Sequence, residues 1–387
     1  MIAMDEKADK KPEICYVINH IDWFWSHRLP LARGAQEDGW DVSVAVPGAN
    51  ADENLADEGF KGIDLPAPDQ GFGPLGVIKT ICALRRIIRR DSPDLIHAIT
   101  LKYAFITGLA TLGLANVKLV HTIAGLGYLF SGEGVKPKVL RTLIGPFLRL
   151  ALRRANIHLI FQNPDDMHIM ISRGFADPDR AHLIRGSGVD TAEFMPREAP
   201  SETNDQGDNP IVVMPTRLVH DKGVAIFVEA ARLLKEDGVN VSCQIAGGVT
   251  QNNPLAISQE DMENMVKDGA AEWLGKVSDM PALLAKAALV AYPSYYREGI
   301  PKVLLEAASM AKAIVTTDHP GCKEAVKDGY NGLLVPVKDA CALATAIKTL
   351  LDDPKLCAEM GAHSRQRAVD EFDVKIIVKQ TLETYNL

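Results

Sequence analysis

The sequence predicts two α/β domains in tandem, each a parallel sheet wound with helices on both faces. Three observations carry this. At 387 residues the chain exceeds one ordinary domain and suits two of roughly 150–190 residues. Short apolar runs alternate with amphipathic segments over nearly the whole length, the pattern of strand–helix–strand crossovers. That rhythm stops at a polar stretch, GSGVDTAEFMPREAPSETNDQGDNP (186–210), which reads as a linker, and then restarts. The expected division is 12–187, then 188–370, with 371–387 a terminal helix crossing back to the first domain.

In order, aliphatic and β-branched runs place strands at 14–18, 41–46, 95–98, 118–122, 158–161 and 181–184. Amphipathic stretches place helices between them, at 75–90 and 138–154. After the linker comes a strand at 211–214. A helix follows from Gly223, with Val224, Phe227, Val228, Ala231 and Leu234 at one-face spacing. Further strands fall at 241–246, 289–292, 313–317 and 332–335; the polar, acidic stretch 250–269 reads as a surface excursion, and 354–369 and 373–385 as closing helices. Two doubly wound lobes imply a cleft, with ligands at the carboxyl ends of strands.

Composition narrows the class. Hydrophobic residues make up 47% and charged residues 24%, an ordinary globular balance that excludes a disordered, collagen-like or coiled-coil chain. The six cysteines (15, 82, 243, 322, 341, 357) lie far apart with no CxxC pair, which suits a reducing cytoplasm. The opening MIAMDEKADKK has no apolar signal core. The longest apolar run, 105–117, contains glycines and falls short of the ~20 residues that span a bilayer. A soluble cytoplasmic protein is expected. Charge is uneven, however. Between Gly73 and Pro164 thirteen Lys/Arg face three acids, a local +10 within a chain of −8. One lobe therefore has an attraction for something anionic, and with no nucleic-acid module in the region no nucleic-acid partner is expected. A solvated basic face without a partner is the plain alternative.

The chemistry begins with an exclusion. No GxGxxG or Walker loop is present, so a nicotinamide or flavin enzyme is disfavoured and no cofactor is expected. Arg217-Leu-Val-His-Asp-Lys222-Gly223 puts two cations just past a strand and beside a helix start, a strong setting for a diphosphate. Tyr296-Arg-Glu298-Gly299-Ile300-Pro301-Lys302-Val303-Leu-Leu-Glu306 puts one glutamate before a helix and one inside it. Eight helical residues span ~12 Å. The ~5 Å carboxyl pair of a retaining glycosidase is thus excluded, and each carboxylate grips a different part of one long ligand. The backbone N–H groups of Ile300, Lys302 and Val303 are expected to face an anion.

With the stretches IAGG (245–248) and DHPGCKEAVKDGYNGLLVP (318–336), these motifs resemble the donor half of retaining glycosyltransferases of the GT-B fold, glycosyltransferase family four. HTIAGLGYLFSG (121–132), IFQNPDD (160–166) and GSGVD (186–190) are similar to bacterial members that extend polyprenyl-diphosphate-linked sugars. The resemblance implies a nucleotide-sugar donor, UDP before GDP, and a lipid-linked saccharide acceptor. It implies Arg217 and Lys222 on the donor diphosphate, Glu306 on the ribose, and Glu298 with Gly299 at the donor sugar. It places Gly247, Gly248 and Val277 beside the nucleotide and has His121, near a strand's end, reach the reacting sugar across the cleft. A nucleotide-sugar epimerase or a non-catalytic sugar-nucleotide binder on the same scaffold are the rival readings.

Three features complete the reading. Where the family has a glycine-rich loop after the first strand, this chain has Asp22-Trp-Phe-Trp-Ser-His27-Arg28, and His27 takes over part of the phosphate contact. The one D-x-D, Asp177-Pro-Asp179, reads as a turn, so no metal is expected. Residues 135–155 (VKPKVLRTLIGPFLRLALRRA) hold six cations and no acid, with Val139, Leu140, Leu143, Ile144, Phe147, Leu148 and Leu152 among the apolar residues between them. That resembles a basic surface helix interrupted at Gly145-Pro146 and seated on an anionic membrane, the inner face of the cell membrane. The competing reading is a helix whose apolar side is core.

Overall fold

The computed structural model describes residues 11–66, 73–114, 117–127, 130, 135–197, 209–250, 253 and 255–387. The polar opening through residue 10 lies outside the described residues, as do 128–129 and 131–132 of the 121–132 motif, 198–208 of the expected linker and part of 250–254. The chain divides into two units, Met1–Ile184 with Ile377–Leu387, and Arg185–Ile376.

The first unit is a seven-stranded parallel sheet in the order β3-β2-β1-β4-β5-β6-β7. Its strands are β1 Glu13–Val17, β2 Asp41–Val46, β3 Lys61–Asp64, β4 Leu95–Ile99, β5 Lys118–Ile123, β6 Ile157–Phe161 and β7 Ala181–Leu183. The short edge strand β3 was not expected from the sequence. The chain order reverses between β1 and β4, where such sheets open toward a ligand. Immediately past β4, Thr100 takes φ 82, ψ 151 as it caps the helix Leu101–Ala110, a backbone that disfavours a β-branched residue. After β1, the aromatic stretch is a helix, Ile21–His27.

The terminal helix Val374–Tyr385 closes this unit. Tyr385 Oη lies 2.6 Å from His97 Nδ1 and 3.2 Å from Tyr16 Oη, and Lys118 Nζ donates to the Tyr385 carbonyl at 2.9 Å. His97 Nε2 meets Thr122 Oγ1 at 2.7 Å, so every polar atom of the imidazole is partnered in a buried setting.

The helix Val135–Leu152 runs through Pro146 rather than breaking at Gly145-Pro146. Leu148, Ala151 and Leu152 are buried on the core, and tertiary packing of that face overrides the local cost of proline. The sequence set two readings of this helix against each other. Its core side is real, yet Val139, Leu140, Leu143, Phe147 and Leu150 remain exposed, Leu143 at 65%. The basic count also divides. Arg85 donates to the carbonyls of Ala110 and Leu112, and Arg154 to those of Gly108 and Thr111. These two cations cap a helix end and point back into the protein rather than outward.

The second unit is a six-stranded parallel sheet, β10-β9-β8-β11-β12-β13. Its strands are β8 Ile211–Pro215, β9 Ser242–Ala246, β10 Glu272–Trp273, β11 Leu289–Tyr292, β12 Ala313–Thr317 and β13 Gly332–Val335. The order reverses between β8 and β11. Val224, Phe227, Val228, Ala231 and Leu234 of the helix Val224–Glu236 are buried on this sheet. The acidic excursion contains a helix, Gln259–Val266, started by Ser258 accepting from Asp261 N–H.

Candidate active site

The second unit's reversal point gathers the charges that the sequence singled out. Thr216 N–H donates to the Ala246 carbonyl at 2.8 Å, fixing the exit of β8. Leu218 and Val219 are buried at 0% and 4%, which pins the chain between Arg217 and the 3₁₀ turn His220–Lys222. Gly223 ends that turn at φ 80, and a Cβ there would lie 2.1 Å from the Pro293 carbonyl oxygen. Only glycine permits both the backbone hand and the approach to the loop after β11. Tyr295 N–H donates to the Asp221 carbonyl at 2.9 Å, so the two loops are joined on either side of Lys222.

Lys222 is 3% exposed. Its ammonium pairs with Glu298 Oε1 and sits 5.5 Å and 5.1 Å from the ring centroids of Tyr292 and Tyr296. Tyr292 Oη donates to the same carboxylate oxygen at 3.4 Å. Burial pushes both phenols above the ordinary tyrosine range, Tyr292 far above it, with the Glu298 charge adding to burial and Arg217 opposing. Arg217 itself is exposed. The result is a buried ammonium held by one carboxylate and two neutral aromatic rings, with a guanidinium at the rim. Sequence reasoning missed Tyr292 and Tyr296; two tyrosines near one lysine in space leave no spacing signature.

Glu306 lies in the helix Lys302–Ser309, which Pro301 starts without a side-chain cap. Its side chain is 12% exposed, with Lys302 Nζ 3.7 Å away. Burial raises its carboxyl above the ordinary range, and Lys302 works against that. Ile300 packs its side chain into the core beside Leu304 and Leu305, while Val303 is half-buried. The Gly299 carbonyl lies 2.1 Å from where Gly321, at φ 91, would carry a Cβ. The loops that follow β11 and β12 are thereby packed backbone to backbone.

Gly247 has a structural reason to be glycine. A Cβ there would lie 1.8 Å from the Thr216 carbonyl oxygen. Its N–H donates to the Gly275 carbonyl and its carbonyl accepts from Trp273 Nε1, both at 2.8 Å. Both backbone groups are thus committed within the protein. Gly248 lies against the Lys276 side chain, and Val277 packs on Val213, Ala246 and Ala287. Trp273, the residue that orients this turn, was missed because β10 is only two residues long.

In the first unit, His27 closes the helix Ile21–His27, its Nδ1 2.6 Å from Ser26 Oγ. His121 requires a correction. It lies within β5, which runs on to Ile123, and is 0% exposed. Its register partners Ala98 and Leu159 belong to the core between sheet and helix, so strand alternation turns the ring inward. Burial pushes its imidazole down to about 3. In this structure His121 is a buried imidazole, and among the described residues neither of its ring nitrogens has a hydrogen-bond partner. Asp177 Oδ1 accepts from Asp179 N–H at 3.1 Å, and Asp177 pairs with Arg180. Among the described residues no group of three or more His, Cys, Asp or Glu is placed to hold a metal ion.

Comparison with known proteins gives each half a family. Residues 13–163 match the family described as Glycosyl transferase 4-like, and 197–367 match Glycosyl transferases group 1. The chain is 29% identical to the N,N'-diacetylbacillosaminyl-diphospho-undecaprenol alpha-1,3-N-acetylgalactosaminyltransferase of Campylobacter jejuni, over 93% of this chain and 94% of that one. It is 24% identical to the UDP-Gal:alpha-D-GlcNAc-diphosphoundecaprenol alpha-1,3-galactosyltransferase of Escherichia coli, over 92% and 94%. The solved structure of Anabaena HepE in complex with UDP has a TM-score of 0.76 at 21% identity, covering 97% of this chain and 99% of that one.

Proposed function

We propose a reaction for a chain that is, by both of its halves, a glycosyltransferase of the GT-B fold. It moves a hexose or N-acetylhexosamine from a UDP-linked donor to a polyprenyl-diphosphate-linked saccharide, with retention and without a metal. The observation that carries this is the Lys222–Glu298 pair at the point where strand order reverses, with Arg217 at its rim. As the bond from the sugar's anomeric carbon to the β-phosphate breaks, its electron pair passes to the diphosphate, and Arg217 and Lys222 stabilise that charge. Two such cations supply electrostatically what a divalent ion supplies elsewhere.

Glu298, paired to a buried ammonium, is a poor nucleophile and a good acceptor of donor-sugar hydroxyls. Retention then requires the acceptor hydroxyl to approach on the face that the diphosphate leaves. Glu306 accepts from the ribose, and the N–H groups of Ile300, Lys302 and Val303 face phosphate. Gly248 and Val277 lie beside the base, and Gly247 shapes the turn. UDP is favoured by its presence in the Anabaena structure and in the name of the Escherichia coli relative. A lipid-linked acceptor is favoured by the names of both relatives.

The acceptor reading places the enzyme at the inner face of the cell membrane. Among the described residues no helix is long and apolar enough to cross a bilayer. Attachment is peripheral, through the exposed apolar flank of the helix Val135–Leu152 and its cations. The reaction is tested by measuring nucleoside diphosphate release from a panel of UDP- and GDP-sugars with lipid-linked saccharides. No release from any donor, with or without acceptor, would overturn it. Attachment is tested by co-sedimentation with anionic vesicles, expected at low salt and lost as salt rises; equal recovery with neutral vesicles removes it.

A further inference from the structure

The helix Val135–Leu152 carries two separate stripes besides its core face. At ~100° per residue, the exposed apolar side chains Val139, Leu140, Leu143, Phe147 and Leu150 fall within an arc of about 100°. Lys138, Arg141 and Arg149 fall within another arc of about 80°, separated from the first by about 80° of the surface turned away from the core. Facing that basic stripe is the turn after the helix Pro164–Ser172, which brings up Arg173. Between them lies a groove of about 660 Å³ lined by Lys138, Arg141, Thr142, Arg149, Ser172 and Arg173.

The groove is built rather than incidental. Arg149 Nη2 donates to the Arg173 carbonyl at 3.0 Å, and its guanidinium lies 5.6 Å from the Phe175 ring centroid. Arg173 lies 5.8 Å from the Phe130 ring, and Arg141 Nη1 donates to the Phe130 carbonyl at 3.3 Å. Gly174, at φ 70, has nitrogens of Arg149 and Arg153 within 3.7–3.9 Å of its Cβ position. Carbonyls and rings hold these guanidinium groups. Among the described residues, no carboxylate pairs with Lys138, Arg141, Arg149, Arg153 or Arg173. The four cations that line the groove repel one another, and a single multiply charged anion relieves all of them.

We propose that this groove is a binding site for a doubly charged phosphate carried on a membrane lipid. A free phosphate satisfies the cations alone. A phosphate on a hydrocarbon chain satisfies the cations and lets Leu143 and Phe147 enter the lipid beside it. The proposal rests on the reading of this flank as membrane-facing and goes further, from a diffuse attraction to a defined headgroup site.

The test uses the full chain and phosphatidylcholine vesicles doped with phosphatidic acid or phosphatidylserine, matched in surface potential. Binding about tenfold tighter to phosphatidic acid is expected, the return of one further charge-assisted hydrogen bond. Arg149→Gln with Arg173→Gln abolishes that preference and keeps the residual binding to phosphatidylserine. Leu143→Ser with Phe147→Ser weakens binding to both vesicles by the same factor. Unchanged melting and circular dichroism certify that each variant is folded. Equal binding of the wild type to both vesicles overturns the headgroup site while leaving membrane attachment standing. Retention of the preference by the double glutamine variant does the same. Competition by soluble glycerol phosphate as effective as the lipid removes the lipid from the proposal. Failure to bind either vesicle overturns the membrane reading itself.

Discussion

The two units share one wiring. Each sheet runs 3-2-1-4-5-6 in its own numbering, the first with one strand more. They differ in what stands where the order reverses. In the second unit that point holds a buried ammonium–carboxylate pair in an aromatic cage, with charge turned inward. In the first, it holds a strained Thr100 and a short aromatic helix, while Lys138, Arg141, Arg149 and Arg173 line a groove on an outer flank. The same scaffold therefore presents a buried charge pair in one unit and an open, amphipathic surface in the other. Fold alone does not distribute function between the halves; the loops and one helix flank do.

The largest expected effect on stability from one substitution tests whether the inward charge is structural as well as catalytic. Lys222→Ala leaves the half-buried Glu298 carboxylate without the ammonium, a loss of ~1–3 kcal/mol. In denaturant melts the second unit should unfold well before the first. Coincident unfolding at the wild-type midpoint would show the pair to be peripheral.

Arg217→Ala separates the two roles, because Arg217 is exposed at the rim. Melting should stay unchanged while turnover drops by ~100- to 1,000-fold, the ~3–4 kcal/mol of one preorganised charge. Turnover within threefold of wild type would remove Arg217 from the chemistry.

Acid should discriminate the units in the other direction. His121 is held at about 3 by burial, against 6.5 when unfolded, and burial also lowers His97 well below its ordinary value. Between these values the unfolded chain binds more protons than the folded one. The stabilisation is therefore complete above pH ~6.5 and lost as pH falls toward ~3. First-unit melting should drop steeply over that window, and His121→Leu should flatten the slope. Equal slopes for variant and wild type would place His121 in contact with solvent.

The smallest expected effect is none. EDTA-treated enzyme should turn over at the untreated rate, because the proposed reaction assigns the leaving diphosphate to Arg217 and Lys222 alone. Activity lost on chelation and restored by magnesium would show that the inward charge is incomplete by itself.

Much of the architecture was legible because buried parallel strands read as continuous apolar runs. Strands 41–46, 289–292, 313–317 and 332–335 agree with the structure to the residue. The edge strands β3 and β10 were not legible. KGID and EW are too short to show a period, and an edge strand has one neighbour to bury it. The helix Gln259–Val266 was hidden because only Met262 is buried along it. Gly145-Pro146 read as a break because the rule is local, whereas three buried side chains on the next two turns keep the helix continuous through it. At the site, Arg217, Lys222, Glu298 and Glu306 stood out by charge beside glycine and proline. The tyrosine cage and the Trp273 anchor arise from three loops meeting in space, which no spacing along the chain encodes. His121 falls inside the strand expected at 118–122, and what the sequence did not show is that its ring is fully buried there.

The return of the chain to its first unit has a consequence for its manufacture. Tyr385, which meets His97 and Tyr16 inside that unit, is translated after all 192 residues from Arg185 to Ile376. At ~5–20 residues per second, the ribosome supplies it on the order of 10–40 s after Ile184. Throughout that interval His97 has no Tyr385 to meet, and the apolar groove that takes Ile377 stays open to solvent. The half of the protein begun first is the half completed last, and during synthesis it is the half a chaperone must shelter.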